Sequence, residues 1–155
     1  MNRMFITFCI FSAATISVHA QGSETPRIDS SSSVSVSDEM IGKQHGQMSL
    51  EKTAADEDYA YTPESAVPVG GGFSKGSKNT YRFLNSLLGP EGQKVHYQRI
   101  GTCCEFETTN SPFGDTALLE VYEINFEGSD EAIRLYFNWY DPGEVLIPFG
   151  LTAAQ

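Results

Sequence analysis

Residues 118–140 read LLEVYEINFEGSDEAIRLYFNWY, and this stretch decides the fold because two apolar runs flank a short polar turn. Apolar and polar residues alternate through much of each run, which is the pattern of a strand with one face buried. We predict strands over Leu118–Phe126 and Ala132–Tyr140, joined by a two-residue turn at Gly128-Ser129. The sequence therefore predicts an antiparallel hairpin.

The register of this hairpin follows from which residues would face each other. With the predicted turn, apolar residues pair on one face and mixed pairs fall on the other, as in a sheet covered on one side. A slip by one residue would put Ile124 opposite Arg134 and would mix the two sets. The predicted pairs are Ile124–Ile133, Tyr122–Leu135 and Leu118–Trp139 on the apolar face, and Glu123–Arg134 and Val121–Tyr136 on the mixed face.

The remaining elements surround the hairpin. A helix is predicted to begin at Ser77 or Asn79 and to run to Leu88, where Gly89-Pro90 stops it; the glycines that precede it form a flexible hinge. The fold class is therefore α+β, with one N-terminal helix packed on a small, mainly antiparallel sheet of about four or five strands, preceded by a disordered tail. The further strands are predicted over Val95–Ile100, Cys103–Thr108 and Val145–Phe149.

Residues 1–20 have the pattern of a secretory signal peptide. Arg3 supplies the positive start, Met4–Ala14 is mostly apolar, and Val18-His19-Ala20 precedes a cleavage site before Gln21. The apolar part is shorter than the roughly 20 residues that cross a membrane, which argues against a stable membrane anchor. We expect the signal to be removed near Ala20 and the mature protein to be periplasmic or secreted.

Residues 21–62 have the composition of a disordered segment. Six of the eight residues from Ser30 to Ser37 are serine, and no aromatic residue occurs between Gln21 and Tyr59. Such a stretch buries too little apolar surface to offset the entropy lost when it becomes ordered. We therefore predict a disordered Ser- and acid-rich tail over 21–62 and one small α+β domain over 63–155.

The charge of the chain restricts its partners. The net charge is −10 at pH 7, and it becomes about −11 when removal of residues 1–20 takes away Arg3. A surplus of carboxylates disfavours contact with the phosphates of nucleic acid, so we expect no nucleic-acid partner. The sequence contains no cofactor-binding motif, and we expect no cofactor.

Cys103 and Cys104 form the most specific chemical motif. Cys9 would leave with the signal peptide, and the two cysteines that remain cannot make a disulfide-stapled scaffold, so an apolar core must hold the fold. Neighbours in a strand point to opposite faces, and a bond between them would need a local turn, which Gly101 could allow. The alternatives are two ordinary thiols, a vicinal disulfide, and intermolecular pairing or metal binding. A strained vicinal bond would be reducible, which is the physical basis of a redox switch.

His96 is the only histidine of the predicted domain. A nucleophilic Cys–His pair with Cys103 or Cys104 is one catalytic hypothesis, with Glu105 or Glu120 as the orienting acid. The alternative is an ordinary hydrogen-bonded histidine on a strand. Two adjacent cysteines and one histidine are a poor set of zinc ligands, so we expect no metal site.

The mixed face of the hairpin is the candidate binding surface. Tyrosine, arginine and asparagine on a rigid sheet are typical of surfaces that bind a partner. The alternative is a partly covered second face, packed by a loop or by the C-terminus. The candidate binding residues are Arg134, Tyr136, Asn138 and Tyr140 on one strand, Glu123 beside them, and Arg99 from the first strand.

Several stretches resemble a family of small exported bacterial proteins of unknown function. They are FLNSLLGPEG at 83–92, YQRIGTCCEFET at 97–108, LEVYE at 119–123 and LYFNWYD at 135–141. The most specific part is the R-x-G-x-C-C core from Arg99 to Cys104. Members of the family are sometimes labelled 2-dehydro-3-deoxyphosphooctonate aldolase. That enzyme resembles a TIM barrel, which needs about 250 residues and βα alternation, and this domain has neither.

Two functions follow from the sequence. The first is an exported, non-enzymatic module that binds a partner protein or an envelope component through the mixed face. The alternative is a small thiol-dependent redox protein or enzyme that uses the vicinal pair Cys103-Cys104. The thiol state of the mature protein distinguishes the two, because only the second needs a reducible bond within the pair.

Overall fold

The computed structural model describes residues 39–154, except for the side chain of Phe73. Within that range a helix packs on a four-stranded sheet, and two further short strands form a second sheet. This confirms the predicted α+β class with a mainly antiparallel sheet. The elements are a helical turn over 39–43, a 3-10 turn (Pro63–Ser65), β1 (Val67–Pro68), α1 (Gly72–Leu84), β2 (Leu87–Leu88), β3 (Val95–Glu107), β4 (Thr116–Phe126), β5 (Ala132–Asn138) and β6 (Thr152–Ala153).

The strand order of the large sheet is β1-β5-β4-β3, which places β3 at one edge. Strands β3, β4 and β5 are antiparallel, whereas β1 runs parallel to β5 with Val67 opposite Phe137. Strand β3 continues from Val95 to Glu107, so the two strands that we predicted over this stretch are one. No helix within residues 39–154 has the length and apolarity that a membrane crossing requires.

The β4–β5 hairpin has the predicted register but a different turn. The chain turns at Glu127-Gly128, where the Ser129 N–H donates a hydrogen bond to the Phe126 carbonyl at 2.9 Å, and the Gly128 φ is 85°. The predicted two-residue turn at Gly128-Ser129 is therefore wrong, although the longer connection leaves the pairing unchanged. The confirmed pairs are Ile124–Ile133, Tyr122–Leu135, Glu123–Arg134 and Val121–Tyr136, and the predicted pair Leu118–Trp139 lies beyond the paired residues.

Helix α1 begins earlier than predicted. It starts at Gly72 rather than at Ser77 or Asn79, so two glycines of the predicted hinge are the N-cap and the first residue of the helix. Gly71 is the N-cap residue, with a φ of 93°. Glycine adopts this left-handed conformation freely because it has no Cβ.

The helix also ends four residues before the predicted end, because Leu87–Leu88 leave the helix and pair with β6. The predicted last strand over Val145–Phe149 is likewise wrong. Of its residues, Ile147 alone makes a bridge, in parallel with Thr53. The helix end was mispredicted because its pairing partner β6 lies far away in the sequence, where local pattern gives no information.

The apolar face of the sheet packs against α1. Phe83 contacts Phe137 edge-to-face with ring centroids 5.6 Å apart, and Phe137 contacts Tyr122 in the same way at 5.4 Å. Trp139 Nε1 donates a buried hydrogen bond to Thr80 Oγ1 at 2.9 Å. This confirms the predicted core face of β5, on which Leu135, Phe137 and Trp139 are buried and Ile133 is half-buried.

Residues 39–62, which we call the docked segment, pack on the domain instead of forming the end of a disordered tail. The Tyr136 N–H donates to the Ala60 carbonyl at 2.8 Å, and the Ala54 N–H donates to the Ile147 carbonyl at 2.8 Å. Ala54 and Ala60 are both buried. Backbone hydrogen bonds and small buried side chains hold the segment, and neither leaves a strong signal in composition.

The predicted border between residues 62 and 63 is therefore wrong, because the packed domain includes residues before it. The predicted signal peptide over 1–20 and residues 21–38 of the predicted tail lie outside the described residues.

Candidate functional site

Edge strand β3 carries two bulges where its pairing with β4 shifts. One lies between Arg99 and Gly101, which leaves Ile100 without a direct partner, and the other lies between Cys103 and Glu105. A β-bulge inserts one extra residue into a strand and changes the direction of the side chains that follow. The R-x-G-x-C-C core therefore coincides with the irregular part of the strand.

Cys103 and Cys104 are joined by a disulfide. The bulge explains how strand neighbours can be bonded, since Cys104 is the extra residue and adopts a φ of 55°. In a regular strand the two side chains would point to opposite faces and their sulfurs could not meet. Of the alternatives that the sequence left open, the structure contains the vicinal disulfide, formed by a half-buried Cys103 and an exposed Cys104.

His96 does not lie near the cysteines. Its Nδ1 lies 3.2 Å from Glu39 Oε2, and its backbone pairs with Asn125 near the start of β3. Cys103 follows seven positions later along the same strand, which corresponds to roughly 20 Å. The hypothesis of a nucleophilic Cys–His pair is therefore wrong, and His96 is the hydrogen-bonded strand histidine of the alternative.

Arg99 lies on the opposite side of the sheet from the other predicted binding residues. It pairs with Tyr122, whose side chain is in the core, so Arg99 belongs to the face that carries α1. Its Nε donates to Glu120 Oε2 at 2.6 Å, and Glu120 is only 6% exposed. The predictions that Arg99 belongs to the mixed face and that Glu120 orients a catalytic histidine are both wrong. The alternation of Val95, Tyr97 and Arg99 with polar neighbours was the signal that could have placed Arg99.

A buried tyrosine lies next to this ion pair. Tyr122 is fully buried, and burial raises the pKa of its phenol. Tyr81 and the Glu120 carboxylate act in the same direction, whereas Arg99 acts against it. The phenol therefore stays protonated at any physiological pH.

The other predicted binding residues share one surface, which we call the far face because it is turned away from α1. Glu123, Tyr136, Asn138 and Tyr140 are half-buried there, and Arg134 is exposed. Beside them on the same face, β4 carries small or aliphatic side chains that are buried although α1 packs on the other face. These are Ala117, Leu119 and Val121.

The far face contains a cavity of about 430 Å³ near the β4–β5 turn. Gln98 Nε2 donates to Glu123 Oε1 at 3.1 Å along its wall. Burial acts to raise the pKa of Glu39, but hydrogen bonds and charges from Lys43 and His96 outweigh it, so the pKa lies below its usual value. The side chains that line the cavity include Glu39, His96, Gln98, Glu123, Asn125 and Asp130.

A hydrogen-bonded aspartate closes the other end of the far face. Asp141 accepts hydrogen bonds from Thr108 Oγ1 at 2.6 Å, Asn110 Nδ2 at 2.8 Å and Asn138 Nδ2 at 2.9 Å. Burial opposes ionisation, but these three bonds hold the pKa of Asp141 below its usual value. They tie the β3–β4 loop to the end of β5. Sequence reasoning missed the cluster, although asparagine favours turns such as this one, in which Asn138 Oδ1 accepts hydrogen bonds from the Tyr140 and Asp141 N–H groups.

In the part of the chain that the structure describes, no three histidine, cysteine, aspartate or glutamate side chains are grouped to hold a metal ion. Comparison with family models, with curated proteins and with solved structures finds no match.

Proposed function

We propose that this protein is an exported, non-enzymatic binding module, which engages a partner protein or an envelope component through its far face. The observation that carries the proposal is the composition of that face: two half-buried tyrosines, Tyr136 and Tyr140, stand among charged and amide side chains, next to buried aliphatic residues of β4. Such side chains offer aromatic contact area and hydrogen bonds at little cost in side-chain entropy, because the sheet already holds them in place.

The location of the protein is part of this proposal. Export rests on the charge, the apolar length and the cleavage pattern of residues 1–20, together with the resemblance to exported proteins. Direct sequencing of the mature N-terminus tests it, and we expect the chain to begin at Gln21. A chain that retains Met1 would contradict export.

Site-specific photo-crosslinking tests the binding surface. In cells that produce the protein, a photoreactive side chain is placed at one position at a time. The test positions are Arg134 and Gln98 on the far face, and the control positions are Ser74 and Lys78 on the exposed side of α1. We expect a crosslinked species from the far-face positions and none from the helix positions. Equal crosslinking from both sides would overturn the proposal.

Competition makes this test specific. An excess of the unlabelled wild-type chain should abolish the crosslink, and so should the Lys78→Ala variant. The double variant Arg134→Ala/Tyr136→Ala should compete more weakly, so that about tenfold more of it or above is needed to abolish the crosslink. The reason is that truncating anchor residues typically costs more than 1 kcal/mol of binding free energy. If this variant competes as well as the wild type, the far face is not the binding surface.

A second candidate function is thiol–disulfide exchange, which the exposure of Cys104 favours. A thiolate of a small dithiol or of a partner protein would attack the Cys104 sulfur and displace the Cys103 thiolate, which takes up a proton. The second thiol of the reagent would then resolve the mixed disulfide, leaving two cysteine thiols and an oxidised reagent. Alkylation and mass measurement after treatment with a dithiol should count two new thiols, and a count of zero would exclude this function.

A further inference from the structure

We propose that the Cys103–Cys104 bond is a redox-controlled lock on the pairing between the second half of β3 and the start of β4. The segment that the bond controls, which we call the distal segment, comprises residues 105–115: the end of β3 and the loop to β4. The bond holds this segment in one register, and its reduction permits a second register.

The bond requires the bulge and in turn stabilises it. A vicinal disulfide needs both sulfurs on one side of the chain, and the bulge at Cys104 provides this arrangement by leaving that residue unpaired. The φ of 55° at Cys104 lies in the left-handed region, which residues other than glycine avoid. The disulfide closes a small ring that holds Cys104 in this region. Once the bond is broken, this constraint is lost, and an extended conformation of Cys104 without the bulge is favoured locally.

The bulge decides which residues face each other beyond it. With the bulge present, Glu105 pairs with Leu118 and Phe106 pairs with Ala117. Without it, the pairing beyond Cys103 moves by one residue and Phe106 comes to face Thr116. A shift by one residue exchanges the two faces of a strand, so Phe106 would leave the far face and Glu105 would replace it.

The end of the far face depends on this register. Phe106 and Tyr140 are in ring contact with centroids 6.3 Å apart. The Thr108 N–H donates to the Asp115 carbonyl at 2.9 Å, and Thr108 Oγ1 donates to Asp141. All three interactions belong to the bulged register. Because they oppose the shift, we expect the reduced distal segment to exchange between the two registers rather than to detach.

The chemistry of the switch is the exchange already described for an external dithiol. The S–S bond breaks, the reagent supplies two electrons and two protons, and the reagent becomes a disulfide. Regulation of partner binding by this lock rests on the proposed function. The lock itself concerns only the register of β3, so it can be tested without a partner, and a negative result would leave the far-face proposal untouched.

Amide hydrogen exchange on the full chain, with and without a small dithiol, tests the lock. The Thr108 amide is the reporter, and the Glu127 amide, which donates to the Lys94 carbonyl at the other end of the same strand pair, is the control. Reduction should speed exchange at Thr108 by about five- to thirtyfold, the factor that corresponds to the cost of holding an L-residue in the left-handed region. Exchange at Glu127 should not change. An unchanged rate at Thr108 in protein shown to be reduced would overturn the proposal.

Two variants that lack the Cys103-Cys104 pair separate the effect of the bond from that of the backbone conformation at residue 104. Cys103→Ser/Cys104→Gly removes the bond but places glycine, which accepts a positive φ, at the bulge. Cys103→Ser/Cys104→Ser removes the bond and keeps the preference for a negative φ. The glycine variant should exchange at Thr108 like the oxidised wild type, and the serine variant like the reduced one. Equal exchange in the two variants would show that the bond does not act through the bulge.

Discussion

Arg99 Nε and Glu120 Oε2 are 2.6 Å apart on the helix-bearing face of the sheet, and only the arginine reaches solvent. The buried carboxylate thus has a charged partner at the edge of the core. Removing the arginine leaves this charge uncompensated, which costs more than the loss of an exposed ion pair.

The first prediction concerns this pair. Arg99→Ala should lower the free energy of unfolding by about 1–3 kcal/mol, because a buried charged acceptor loses its partner. The double variant Arg99→Ala/Glu120→Gln should regain part of the loss, since the charge is no longer present. Denaturant unfolding of the wild type, the two single variants and the double variant measures the coupling. Additive losses would show that the two side chains act independently.

The second prediction compares the two faces of β5. Phe137→Ala should cost about 3–5 kcal/mol, because it removes a fully buried ring that contacts Phe83 and Tyr122. Tyr136→Ala should cost clearly less, since Tyr136 is half-buried on the far face, but it should weaken binding of the partner. Chemical denaturation of both variants measures the difference. If Tyr136→Ala unfolds the domain while Phe137→Ala leaves it stable, the assignment of the faces is inverted.

The third prediction concerns pH and Asp141. Its pKa in the folded protein lies below the ordinary value of 3.8, so ionised Asp141 stabilises the fold above that pH, and this contribution is lost as the pH falls through the folded pKa. The wild type should therefore exceed Asp141→Asn in stability at about pH 6, and the difference should shrink towards about pH 2–3. Unfolding curves at the two pH values test this. A difference that stays constant would mean that the carboxylate charge contributes nothing.

The fourth prediction concerns the docked segment. Limited proteolysis should leave residues 46–62 intact, because their backbone is hydrogen-bonded to the domain and Ala54 and Ala60 are buried. Deleting residues 39–62 should lower the melting temperature by several degrees or more, since each 1 kcal/mol shifts it by roughly 4–8 °C in a domain of this size. A deletion that leaves the melting temperature unchanged would show that the segment contributes no stability.

The sequence predicted the parts of the fold that depend on local alternation. The β4–β5 register followed from matching apolar residues such as Ile124 and Ile133, and the core face of β5 followed from parity. Burying an arginine without a partner is costly, which left only one orientation for Arg134. These inferences needed no information from outside the hairpin.

Features that depend on distant partners could not be predicted. Leu87–Leu88 continued the apolar pattern of a helix, but β6 draws them into a strand. Ala60 gave no signal because its contribution is a backbone carbonyl, which every residue has. Local alternation could have placed Arg99 on the same face as Val95 and Tyr97, but its partner Glu120 depends on the pairing of β3 with β4, and no turn of fixed length sets that pairing across a long loop.

The docked segment has a consequence for the order of events in folding. Tyr61 donates its hydroxyl to the Phe149 carbonyl, 88 positions later in the chain, and Lys52 meets Glu144, 92 positions later. These contacts close very large loops, and loop closure over such separations slows the folding of a small domain. The hairpin can form from neighbouring residues as soon as it is synthesised, whereas the early segment must wait until the last residues emerge. Completion of the native state is thereby postponed until residues 144–149 have been synthesised, so the hairpin can form well before the early segment docks.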